Sequence, residues 1–246
     1  MFFGLRMGLP KLSQGGSVLA LSPDQVPGLL AWYESDFGFS IDGSNNLQSW
    51  LDKSGNGFTF SQTSAALRPA TTLASINGFP AASFLNGGNK LMTATSDFAG
   101  GSHSLIIVAK PTGIGTNFAG GLCLGSDPIA FHTSDIGTYF DGRFTYGGYG
   151  FGAAEPSAPT VGTTYVLGKM SAGVAMRTFK NGLFNFVETE ATPVTPTPTT
   201  AMLFGVYFPT GANAPWDIAA MCAFRRPLLD SEMASVQKYF MVKYVP

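Results

Sequence analysis

Two acids at alternate positions, Glu188 and Glu190, are the first place to look for hydrolytic chemistry in this chain. Alternate residues of a strand project to one face, and retaining glycoside hydrolysis needs two carboxyl groups about 5–5.5 Å apart. This pair, however, ends a predicted strand, runs straight into the proline-rich stretch 192–200 and has no tryptophan beside it. Nucleophilic chemistry has equally little to start from. There is no Gly-x-Ser-x-Gly turn, and no motif ties the two histidines, His103 and His132, to either cysteine. Both histidines read as surface or core residues at or beside strands. Cys123 and Cys222 sit among apolar neighbours, where a free thiol behaves as a small hydrophobe, and they lack zinc spacing. A disulfide between them is the alternative. The chain is therefore expected to be non-enzymatic and to need no cofactor.

Binding chemistry has more candidates. Asp52, Ser54 and Asn56 place side-chain oxygens at alternate positions ahead of Gly57, a spacing that could wrap calcium. A loop of the EF-hand kind would add a bidentate acid further on, and residues 58–65 contain none. The preferred reading is a tight turn in which Asp and Asn side chains bond their own backbone. The run 138–151 interleaves rings with glycine: Tyr139, Tyr146 and Tyr149 could stack on sugar faces, and Asp141 or Arg143 could bond the hydroxyls. At the N-terminus Phe2, Phe3, Leu5, Met7, Leu9 and Leu12 form an apolar arm that ends in the Gly15-Gly16 joint. Arg6 and Lys11 interrupt it and no small-residue cleavage site follows, so it is read as a retained attachment arm rather than a signal peptide.

Short β-branched or aromatic runs bounded by Gly, Pro, Asn and Asp must position these residues. They predict strands at 29–33, 81–85, 104–110, 121–124, 138–140, 144–146, 165–170, 174–180, 183–188, 202–207 and 218–225. Asn181-Gly182 predicts a two-residue type I′ hairpin, because both central positions of that turn need positive φ. The prolines at 193, 196 and 198 withhold backbone donors, so 192–200 is expected to be a surface loop or an edge-covering segment. One helix is expected after Pro227. Asp230 or Ser231 would cap it, Glu232 would sit in its first turn, Met233, Val236, Phe240 and Tyr244 would share a buried face, and Lys238 and Lys243 would stay on the polar side.

The segments 26–36 (VPGLLAWYESD), 50–57 (WLDKSGNG), 76–84 (INGFPAASF), 179–183 (FKNGL) and 226–232 (RPLLDSE) occur in the order of a laminin-G-like, concanavalin A-like jelly roll. From about residue 26 to 246 the chain resembles that superfamily, and its branch found in virions of tailed bacteriophages in particular. The resemblance implies an all-β fold, a two-sheet antiparallel jelly-roll sandwich with one C-terminal helix. Lectins, glycanases and structural modules share this fold. The glycanases among them carry a Glu-x-Asp-x-x-Glu pattern, whose third acid is missing at 188–190.

Composition narrows the functions further. Charged residues make up 12% of the chain and apolar residues 45%, with a net charge of −1, so no basic field exists to attract nucleic-acid phosphates. No apolar stretch reaches the roughly 18–20 residues needed to span a bilayer as a helix. The expected organisation is an arm at 1–22 and a sandwich domain at 23–246. The expected role is a non-enzymatic structural protein of a tailed-phage virion, in a capsid decoration, head fibre or tail. Its partners would be other virion proteins and copies of itself. The alternative is a carbohydrate-binding module or receptor-binding tail protein that recognises host surface glycans.

Overall fold

The computed structural model describes residues 18–84, 92–98, 102–113, 122–124, 132–134, 137–141, 160–172, 175–189, 199–204 and 215–246. Its strands, in chain order, are β1 (Leu29–Glu34), β2 (Phe39–Ile41), β3 (Leu47–Trp50), β4 (Phe60–Ser61), β5 (Ala70–Ile76), β6 (Phe79–Phe84), β7 (Met92–Phe98) and β8 (His103–Pro111). There follow β9 (Leu122–Leu124), β10 (His132–Ser134), β11 (Gly137–Asp141), β12 (Tyr165–Ala172), β13 (Ala175–Lys180), β14 (Leu183–Thr189), β15 (Thr199–Phe204), β16 (Trp216–Phe224) and the helix α1 (Asp230–Tyr244).

The strands form two antiparallel sheets and a separate β10–β11 hairpin. One sheet runs β14-β13-β12-β8-β16-β6-β5, and the other runs β2-β3-β4-β7-β15-β9. β16 is shared. Along one edge it pairs with β8; along the other, β6 takes its first residues and β1 its last.

The larger sheet is buried on both faces, which is why its central strands read as continuous apolar runs rather than alternations. On β8, Leu105, Ile107 and Ala109 point into the core between the sheets, and Ile106 and Val108 into a second core beneath α1. On β16 the parity switches part-way. Trp216 and Ile218 face the other sheet, but so do Met221 and Ala223, because a bulge between Ile218 and Ala220 inserts one residue into the ladder. Ala219, Ala220, Cys222 and Phe224 consequently line the helix side. Cys222 is a free, fully buried thiol there, and burial pushes its pKa up.

Two Asn-Gly hairpins hold α1 against this face. Asn181 and Gly182 adopt φ of 51° and 78°, and Lys180 pairs with Leu183 across them, the expected type I′ turn. The fully buried Gln237 of α1 accepts the Gly182 N–H at 2.7 Å and donates to the Val166 carbonyl at 3.3 Å. Asn77 and Gly78, φ 47° and 82°, join β5 to β6, and the Asn77 amide donates to the Lys243 carbonyl at 2.9 Å. Gly168 of β12 lies beneath the helix, where a Cβ would come within 2.6 Å of Gln237 and Met233, so the absence of a side chain sets how closely α1 packs.

Met233, Val236, Phe240 and Tyr244 are buried, as expected, and so are Trp32, Trp50 and Phe84. The helix cap is a correction. Leu229, not Asp230 or Ser231, is the N-cap, and its N–H donates to Glu232 at 2.8 Å. Asp230 is drawn away to the Arg177 guanidinium of β13, and Ser231 is already helical, its carbonyl accepting from the Ser235 hydroxyl. Arg226 grips Glu232 through both carboxylate oxygens, at 2.8 and 2.7 Å, which lowers the carboxyl pKa. The proline-rich stretch is also corrected at its end. Thr199 and Thr200 open β15, which lies between β7 and β9, because every residue from Thr199 to Phe204 supplies an N–H. Residues 190–198 and the predicted strand 144–146 lie outside the described residues.

Candidate functional site

The two N-terminal motifs meet along β1. Among the described residues only one edge of that strand is paired to another strand, β16. Its other edge, which would otherwise present unpaired backbone groups, is closed by the loop after Trp50. Asp52 Oδ1 accepts the Trp32 N–H at 3.0 Å, and the Lys53 N–H donates to the Trp32 carbonyl at 2.6 Å. The Asn56 amide donates to the carbonyls of Leu29 and Leu30, at 3.1 and 2.9 Å. Within the loop, Asp52 also takes the Ser54 N–H at 2.9 Å, the Ser54 hydroxyl at 2.8 Å and the Phe58 N–H at 3.1 Å. Asp52, Ser54 and Asn56 are therefore brought together as a clasp. Four donors converge on the two oxygens of Asp52.

At the end of β1 lies a charged hub. Glu34 is fully buried, with Lys53 and Lys243 Nζ at 2.5 and 3.2 Å from one carboxylate oxygen and the Tyr239 hydroxyl at 3.0 Å from the other. Its backbone carbonyl accepts the Trp50 indole N–H at 2.9 Å. Lys243 also reaches Asp36 at 2.8 Å, and Lys53 stands 4.2 Å over the Trp32 ring. Burial, reinforced by the Glu34 charge, pushes the Tyr239 phenol well above its ordinary pKa. The hub ties β1, the clasp loop and the last turn of α1 into one unit.

Directly beyond it the surface opens into a cleft of about 360 Å³ lined by Ser35, Asp36, Gly38, Phe39, Ser40, Ser49 and Leu51. β2 and β3 form one wall, with Ser40 and Ser49 opposite each other in the ladder. Phe39 is fixed edge-on against Trp50, centroids 5.0 Å apart. Gly38 has φ of 60°, and a Cβ there would fall 2.4 Å from that of Leu51, so only glycine lets Leu51 close the floor. Asp36 is the only charged residue in the lining, and its side chain is 41% exposed.

Tyr139 and Asp141 lie on β11, where Asp141 pairs with His132. Arg143, Tyr146 and Tyr149 lie outside the described residues, as do Phe2, Phe3, Leu5, Met7, Leu9 and Leu12. Glu188 falls on β14, an end strand of the larger sheet, opposite Met176; Glu190 is outside the described residues. His103 opens β8 and is buried. The hub and the cleft escaped the sequence reading, although the motif 26–36 contains both Glu34 and Asp36.

No family model matches the chain, and no curated protein matches it. Solved structures do. The sialidase of Trypanosoma rangeli in complex with sialic acid aligns with a TM-score of 0.59 at 12% identity, over 90% of this chain and 34% of that one. Domain 4 of AbnA, a GH43 extracellular arabinanase from Geobacillus stearothermophilus, in complex with arabinotriose, aligns at 0.57 with 16% identity, over 85% of this chain and 98% of that one. The fold is a shared β-sandwich. A third likeness is to the binding domain of Paraclostridial Mosquitocidal Protein 1, at 0.57 and 8% identity over 89% of this chain and 53% of that one. The chain spans about a third of the sialidase. At such identities the likeness is one of fold.

Proposed function

We propose that this chain is a carbohydrate-recognition module without hydrolytic activity. The observation that carries the reading is the match to the arabinanase domain, which is an entire domain of the same extent and holds an oligosaccharide. The cleft beyond β1 adds to it, since a small-molecule site combines apolar surface with a few convergent polar groups. Non-catalysis is supported by the acids. Among the described residues Asp36 is the one acid in the cleft lining, whereas glycoside cleavage in most families takes two carboxyl groups facing each other across the bond.

The test is a glycan array run beside a reducing-sugar assay on the same preparation. Binding without product release is the expected result; release that disappears in Glu188→Gln would establish an enzyme instead.

A second reading, a structural protein of a tailed-phage virion, is supported by the apolar arm. Leu21 packs on the core beneath α1 and its N–H donates to the Ser235 carbonyl at 3.2 Å, so the chain reaches the sandwich along the helix. Val18 and Leu19, just before it, are exposed. In this reading residues 1–22 attach the sandwich 23–246 to a neighbouring subunit or shell.

A further inference from the structure

We infer that the cleft lined by Ser35, Asp36, Phe39, Ser40, Ser49 and Leu51 is the glycan site, and that it takes a neutral sugar rather than a carboxylated one. The inference rests on the carbohydrate reading above and adds to it the place and the ligand class.

A sugar ring has two kinds of surface, hydroxyls around its rim and C–H groups on its faces, and the cleft offers a complement to each. Asp36 supplies a carboxylate acceptor for neighbouring hydroxyls, one of its oxygens already accepting from Lys243. Lys243 holds that carboxylate at 2.8 Å, and Lys243 is itself anchored to the buried Glu34, so the acceptor is fixed before any ligand arrives. Ser40 and Ser49, paired across β2 and β3, add hydroxyls that can donate or accept. Leu51, exposed and seated over Gly38, gives the apolar surface on which a ring face can rest, and Phe39, packed on the core against Trp50, borders it. The volume, about 360 Å³, lies near the lower end of the roughly 300–1,000 Å³ of small-molecule sites.

Charge selects among sugars. Among the described residues the lining contains no Lys or Arg, and its one charged member is an acid. Both nearby ammonium groups are engaged with Glu34, within 2.5 and 3.2 Å. A sugar carboxylate would enter beside Asp36 and Glu34, two acids whose charges Lys53 and Lys243 already balance, so no cation is left over to receive it.

The experiment uses the full chain on an array of neutral and sialylated oligosaccharides, followed by calorimetric titration with the neutral oligosaccharide of strongest signal. Two variants are titrated alongside. Asp36→Ala removes the acceptor, and Ser40→Trp fills the cleft from an exposed position without removing a buried contact; circular dichroism melts verify that both are folded. The expected result is binding to neutral glycans, weakened about tenfold or more by Asp36→Ala, as for loss of a hydrogen bond to a charged group, and abolished by Ser40→Trp. If the wild-type protein binds neutral glycans and both variants bind equally well, the site lies elsewhere: the inference fails and the carbohydrate reading survives. Selective binding of sialylated glycans would overturn the inference in its ligand class. Failure to bind any glycan would overturn both.

Discussion

Asp52 shows how one carboxylate can do the work of a missing strand. Its two oxygens collect the amides of Trp32, Ser54 and Phe58 and one hydroxyl, which closes the open edge of β1 and fixes the loop that carries Lys53 to Glu34. Asp52→Ala is therefore expected to lower stability by at least about 1.5–3 kcal/mol, the range for one hydrogen bond to a charged group, in urea unfolding. The same geometry bears on calcium. Oxygens whose lone pairs already accept N–H and O–H groups have few left to offer a cation, so millimolar calcium is expected to leave the melting temperature of the wild-type protein unchanged. A calcium-dependent rise that vanishes in Asp52→Ala would restore the metal reading. The turn residues of this loop were legible because Asx turns are local: donor and acceptor lie within a few residues. The hub was not, since its lysines come from residues 19 and more than 200 positions away and no short-range spacing records them.

Among the elements, the strands easiest to foresee are those buried on both faces. β8, β12 and β16 announce themselves as apolar runs with clear ends. β2, β3, β4, β5 and β7 were not anticipated. β2 has only three residues and an exposed half, β3 alternates through Gln48 and Ser49, and β5 is broken by a bulge between Thr72 and Ile76, where Ala74 takes φ of 54°. The apolar face of α1 was legible from its period, but Gln237 was not, because a polar residue gives no sign that it will be buried until its partner turn is known. Gln237→Leu keeps the volume and leaves the Gly182 N–H without its acceptor. A loss of about 1–3 kcal/mol is expected in urea unfolding, against a change within about 0.5 kcal/mol for Lys238→Leu on the exposed face. Equal effects of the two substitutions would show that the helix is not clamped through this turn.

For the whole molecule, the two-sheet sandwich follows from the sequence rhythm, and the bulge that reverses the faces of β16 does not, since one inserted residue leaves an apolar run looking the same. In the proposed attachment role the arm bears on assembly. Burying a side chain of the size of Phe2 or Leu5 contributes about 1.5–3 kcal/mol, so six such residues call for a partner. Deleting residues 1–16 is expected to leave the melting temperature within about 2 °C, a shift worth at most about 1 kcal/mol for a chain of this size, while self-association measured by analytical ultracentrifugation is lost. Unfolding of the truncated chain would assign the arm to the core; unchanged association would remove its attachment role. Finally, β16 alone joins β8 on one side to β6 and β1 on the other, and Leu29 meets Phe224 across almost the full length of the chain. Until residues 216–224 have been synthesised, the larger sheet is two unjoined halves with bare edges facing each other. Chains in which β16 has not yet docked are thus exposed to mispairing, and folding is expected to be slow and dependent on this strand.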